Sequence, residues 1–126
     1  MKLKLDYGSQ GLTVDLPAER TTVIEPVHVP AVEDPVATLR RAITAPMGRK
    51  PLRDLVKPGQ RIGISVCDIT RAQPRQLMLE ALFAEMPGVR HQDVTIFIAT
   101  GTHRRNSTAE IEKMIGEEFA RTCRVV

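Results

Sequence analysis

Ile62-Gly63-Ile64-Ser65-Val66-Cys67-Asp68-Ile69-Thr70-Arg71-Ala72-Gln73-Pro74 decides the fold, together with its counterpart Val94-Thr95-Ile96-Phe97-Ile98-Ala99-Thr100-Gly101-Thr102-His103-Arg104-Arg105. Each is an apolar run of strand length that ends abruptly in a polar cluster. Continuous apolar runs suit strands of a parallel sheet, and the amphipathic segment between them supplies the helical crossover that parallel strands require. Such a unit carries the carboxyl ends of both strands to one edge, where ligands of open α/β sheets bind. Asp68, Arg71 and His103 are therefore expected at one site.

Working outward from this core, Met1 to Leu5 and Leu12 to Leu16 alternate with period two around a glycine-containing turn, which predicts a β-hairpin with one exposed face. Thr21 to Glu25 is expected to add a short third strand, and Pro26 and Pro30 make residues 26–33 an extended connector. Asp34-Pro35 opens a helix whose face is Val36, Leu39, Ala42 and Ile43, and Pro46 stops it. Residues 47–60 are polar and turn-rich, with a short helical turn at Leu52, Leu55 and Val56. The crossover helix is expected from Pro74 to about Met86, with Leu77, Met78, Ala81, Leu82 and Glu85 along its inner face and edge. Ser107-Thr108-Ala109-Glu110 is a capping box opening another helix, Gly116 is its stop, and 117–121 continue as helix. Thr122 to Val126 reads as the beginning of a strand, broken off at a boundary imposed on the protein. The fold class is α/β, a layered α/β/α sheet with a parallel βαβ core preceded by an N-terminal β-hairpin. Residues 1–126 form one incomplete domain.

Composition narrows the function. Hydrophobic residues are 42% and charged residues 26% of the 126, which is ordinary for a globular chain. Aromatics are 3% with no Trp, so few flat surfaces exist for stacking bases, and the net charge of +3 is scattered. Nucleic acid is therefore not an expected partner. No apolar run approaches the ~20 residues that span a membrane. Cys67 and Cys123 have neither CxxC nor metal-finger spacing, and with no signal peptide they are expected as reduced thiols of a cytoplasmic protein.

The polar clusters carry the chemistry. His103 follows a glycine that permits close approach, and imidazole titrates near neutrality, so it is a candidate acid–base group; capping the next helix is its alternative role. Arg71 can grip a carboxylate or phosphate at two points, or pair with Asp68 three residues earlier. Asp68 can cap its own turn, orient a histidine or bond a ribose hydroxyl. Thr70 and Thr102 offer hydroxyls. Arg104 and Arg105 read as a solvated pair, and His28 and His91 lie in connectors. The three histidines show no metal-ligand spacing, and no GxxxxGK[ST], GxGxxG or HExxH motif is present.

Asp68-Ile69-Thr70-Arg71-Ala72-Gln73-Pro74 resembles the D-x-T-R-P-x-P motif of the nickel-pincer lactate racemase family. Ile98-Ala99-Thr100-Gly101-Thr102-His103-Arg104-Arg105 is similar to that family's A-T-G-x-H-R-P signature. Ser107 to Ile111, with Ile115-Gly116-Glu117 after it, fits the family's next helix. The resemblance implies the N-terminal, cofactor- and substrate-binding part of a 2-hydroxyacid racemase that abstracts and returns a hydride. Its cofactor would be a nickel pyridinium-3,5-bisthiocarboxylate mononucleotide and its partner a small 2-hydroxy acid such as lactate. By the same resemblance, His103 is an acid–base residue, Arg71 the substrate carboxylate clamp, and Asp68, Ile69, Thr70 and Arg71 a cofactor-contacting turn. Ala72 departs from the motif's proline and loosens the turn that presents Arg71. The family's cofactor-anchoring lysine, nickel-ligating histidine, second acid–base histidine and C-terminal domain would lie beyond residue 126, so the chain alone is expected to be inactive. The sequence leaves the oligomeric state open. The rival expectation is a non-catalytic module that binds a nucleotide or anion at the same edge.

Overall fold

The computed structural model describes residues 1–126, which divide into two compact units, Met1–Ala31 and Val32–Val126. In the first unit, β1 (Lys2–Leu5) and β2 (Leu12–Asp15) form the expected antiparallel hairpin, with Leu3 opposite Val14. These two side chains are the half-buried pair of the ladder, and their neighbours along each strand face solvent. A 3-10 turn follows at Ala18–Arg20. The expected third strand at Thr21–Glu25 does not form: Val23 and Ile24 are exposed, and no neighbouring strand is there to take up their backbone groups.

The second unit is built on a parallel three-stranded sheet in the order β3-β4-β5. Its strands are β3 (Ile62–Cys67), β4 (Val94–Ala99) and β5 (Arg124–Val125). Pairing runs from Ile62 opposite Val94 to Cys67 opposite Ala99. Residues opposite one another share a face, so Ile62, Ile64 and Val66 line up with Val94, Ile96 and Ile98. Three helices supply the rest of the core: α3 (Arg75–Ala84), α4 (Thr108–Ile115) and α5 (Glu117–Thr122). Leu79, Met114, Ile115 and Phe119 close over Val66, Val94 and Ile96. The opposite face carries Gly63, Ser65, Phe97 and Ala99, all exposed, with the Phe97 ring lying against Gly63.

Two helices precede the sheet, α1 (Pro35–Thr44) and the single-turn α2 (Leu52–Leu55). Asp34 caps α1 by accepting from the Ala37 N–H at 2.9 Å, and Pro35 occupies its first position, as the sequence predicts. α1 packs on α3, so α3 is covered on more than one side. Of the expected inner face, Ala81 is buried while Leu77, Met78 and Leu82 are only half-buried, and Leu79, outside that expected face, is the most buried residue of the helix. Glu85 is also almost completely buried, just past the end of α3. The Arg53 guanidinium donates to the Glu85 carboxylate, and Arg40 stands 3.7 Å from its other oxygen. Those partners hold Glu85 below the usual carboxylate range despite burial, the Arg53 hydrogen bond contributing most. α4 carries the capping box in full, and Gly116, at φ +84°, turns the chain directly into α5.

No helix is long and apolar enough to cross a membrane. Ile96 is completely buried at the centre of the sheet. Ile96→Ala should cost about 3 kcal/mol of stability in urea titrations, because the cavity adds to the lost transfer energy. Phe97→Ala, on the exposed face, should cost well under half of that.

Candidate functional site

β3 and β4 end side by side, and the turn after each strand contributes to one cluster. Asp68, immediately beyond β3, is only 3% exposed. Its Oδ1 accepts from the Thr70 N–H at 3.2 Å and from the Thr70 hydroxyl at 2.7 Å. Its Oδ2 lies 2.7 Å from Nδ1 of His103, 35 residues further along the chain. Two of the three roles that the sequence offers for Asp68, capping its turn and orienting a histidine, are thus filled at once, one by each oxygen. The Thr70 hydroxyl, and after it His103, hold the Asp68 carboxyl below its ordinary value.

An ionised carboxylate only accepts hydrogen bonds, so Nδ1 of His103 carries the proton that joins them. In the neutral ring this leaves the lone pair on Nε2. The His103 side chain is 45% exposed, so that nitrogen belongs to a ring that a ligand can reach. His103 does not cap α4; that task falls to Ser107. Gly101 beside it adopts φ +58° with open space where a Cβ would stand, so the loop admits close approach.

Arg71 sits at the exposed tip of the β3–α3 turn, its N–H donating to the Asp68 carbonyl at 3.2 Å. The Arg71–Asp68 ion pair does not form; the carboxylate of Asp68 is engaged by Thr70 and His103 instead. The exposed Arg71 guanidinium has no ion-pair partner in the chain. Ile69 turns inward against the core, whereas Thr70 is exposed and its hydroxyl is committed to Asp68. Thr102 is exposed as well. Two open clefts flank the cluster: one of about 600 Å³ touches Ile69, Gln73 and Arg75, and one of about 650 Å³ touches Thr100, Arg105 and Asn106. Neither encloses the Asp68–His103 pair. The Asn106 side-chain oxygen, on the second cleft, is buried without a partner.

Other residues singled out in the sequence lie elsewhere or serve the fold. His91 precedes β4 and so stands at the opposite edge of the sheet, its ring packed against Phe83 and Phe119 and its Nδ1 2.7 Å from the Thr122 hydroxyl. His28 is exposed in the first unit. Arg104 and Arg105 are both exposed, as the sequence predicts, and Arg104 in addition grips Glu110 at 2.9 and 2.7 Å. Two residues that sequence reasoning missed organise the turn itself. Gln73 accepts the Cys67 N–H at 3.1 Å, and the guanidinium of Arg75 is buried among backbone carbonyls. The one signal in the sequence was a cation at the first position of a helix, where the helix dipole disfavours it. No group of three or more His, Cys, Asp or Glu residues is placed to hold a metal ion.

The α/β sheet thus presents a carboxylate-held imidazole and an exposed guanidinium without an ion-pair partner at the carboxyl ends of adjacent parallel strands. The family is settled by comparison. The profile of the lactate racemase N-terminal domain matches residues 7–126, and the chain belongs to that family. A lactate racemase from Thermoanaerobacterium thermosaccharolyticum is 32% identical over 123 residues, covering 93% of this chain and 28% of the relative. The structure of the lactate racemase apoprotein from the same organism superposes with a TM-score of 0.75 at 29% identity, covering all of this chain and 30% of that one. The chain thus spans less than a third of the relatives it matches.

Beside the site, Glu110 closes the capping box with Ser107 while bound to Arg104, and Arg104, followed by the Ser107 N–H, lowers its carboxyl to about 2. A depressed folded-state value contributes stability above the unfolded value of 4.5, and this is lost as the pH falls through about 2. Glu110→Gln should therefore flatten the stability-against-pH curve between these limits, measured by urea denaturation at stepped pH.

Proposed function

We propose that the chain is the N-terminal segment of a cytoplasmic nickel-pincer 2-hydroxyacid racemase. The observation that carries the reading is the 2.7 Å Asp68–His103 contact beside an unpaired Arg71. A 2-hydroxy acid presents a carboxylate and, one carbon away, a hydroxyl whose proton must leave and return. Arg71 supplies a planar two-point grip for the carboxylate. His103, held by Asp68 with Nε2 as its free base, accepts the hydroxyl proton and returns it. Asp68 stays ionised throughout, fixing the tautomer and stabilising the imidazolium that forms in between.

The donor set fits an anionic mononucleotide beside the substrate. The turn from Asp68 to Arg71 and the hydroxyls of Thr100 and Thr102 would contact it, while nickel and covalent attachment would be provided by segments other than this chain. When bound, the cofactor supplies hydride abstraction and return. The two cysteines are free, in keeping with a reducing compartment. Lactate is the substrate in the name of both relatives and is taken here as the substrate, and the remaining part of the enzyme is the partner.

The test is interconversion of lactate enantiomers by the enzyme carrying this chain, loaded with its cofactor. His103→Asn should lower the rate by at least about 10³-fold with the fold retained. Asp68→Asn should cost roughly as much, because an amide that donates to Nδ1 moves the proton to Nε2. Arg71→Lys should raise KM roughly tenfold. Binding of nucleotide without racemisation, undiminished in His103→Asn, would replace this reading with an anion-binding module.

A further inference from the structure

Arg75 occupies an unfavourable place. It stands at the first position of α3, where a cation opposes the helix dipole, and the first turn of that helix carries no acidic residue. It is 6% exposed, yet no carboxylate lies within ion-pairing distance of it. Its charge is met wholly by backbone carbonyls. Nε donates to Cys67 at 2.7 Å, Nη1 to Gln73 at 3.2 Å, and Nη2 to Arg71 at 2.6 Å and also to Asp68. The guanidinium therefore fills the hollow of the turn from the last residue of β3 to the residue before Pro74. Gln73 completes the closure by accepting the Cys67 N–H. Both backbone groups of Cys67, on the outer strand of the sheet, are thus held by side chains from the turn that follows.

Two of the four carbonyls belong to Asp68 and Arg71, the residues whose side chains form the site. We infer that Arg75, seconded by Gln73, is a positioning residue: it sets the direction in which Asp68 presents Oδ2 to His103 and in which Arg71 leaves the turn. Ala72 leaves this turn with less intrinsic stiffness than a proline would, and the buried guanidinium supplies the constraint from inside. A lysine of similar length delivers its donors from one point and cannot span four carbonyls lying around a plane. The inference rests on the reading of Asp68, Arg71 and His103 as the site, but its first readout does not.

The experiment is nitrogen-15 NMR of the histidine side chains in the 126-residue chain, assigned with His103→Asn, at a pH where the ring is neutral. The wild type should show His103 as the single Nδ1–H tautomer. Arg75→Lys should keep the dispersed amide spectrum of the fold yet show His103 as a mixture of tautomers. In the cofactor-loaded enzyme it should lower kcat/KM by roughly 10- to 100-fold, as a displaced clamp and base would. If Arg75→Lys does not fold, Gln73→Met puts the same question, with a tautomer mixture expected. An unchanged tautomer in the folded variant overturns the inference, and so does an unchanged kcat/KM when racemisation still depends on His103 and Arg71. A tautomer shift in an enzyme that racemises nothing would instead leave the positioning role standing and overturn the function.

Discussion

Parallel strands cannot be joined by a tight turn. From that constraint follow the crossover helix α3, the side-by-side carboxyl ends of β3 and β4, and the meeting of residues 35 positions apart. The Asp68–His103 bond is the product of this arrangement. It ties the turn after one strand to the loop after the next, and the packing of α3, α4 and α5 on a single face keeps both in place. The site needs no long loop of its own, because each side chain stands within a few residues of a strand end.

Much of this was legible in the sequence because the signals were local. Ile62 to Cys67 and Val94 to Ala99 are apolar runs with polar ends, and Asp34-Pro35 and Ser107 to Glu110 are caps whose chemistry is complete within four residues. The hairpin was legible for the same reason, since alternation and a glycine turn suffice to specify it.

What could not be read depended on partners that only the fold creates. Asp68 offered three roles, and the choice among them needed the position of His103. Arg71 looked able to pair with Asp68 by spacing alone, but the carboxylate was already engaged from the other side. Arg75 showed only as a cation at a helix start, because its acceptors are carbonyls, which every residue has, and only the curl of the turn gathers four of them. On α3 and just past its end, Ala81 and Glu85 are buried as read, but Leu79 is buried as well because α1 covers a second side, a fact that periodicity in α3 does not contain. Thr21 to Glu25 had strand composition without a strand beside it to pair with.

The register of β3 against β4 has one more consequence. Cys67 faces Ala99, and the site begins one residue beyond each. Sliding one strand past the other by a single residue would move its end by about 3.3 Å and send its side chains to the opposite face. A hydrogen bond of 2.7 Å does not survive such a step. A chain misregistered by one residue would therefore bury the wrong face and break the Asp68–His103 bond in the same step.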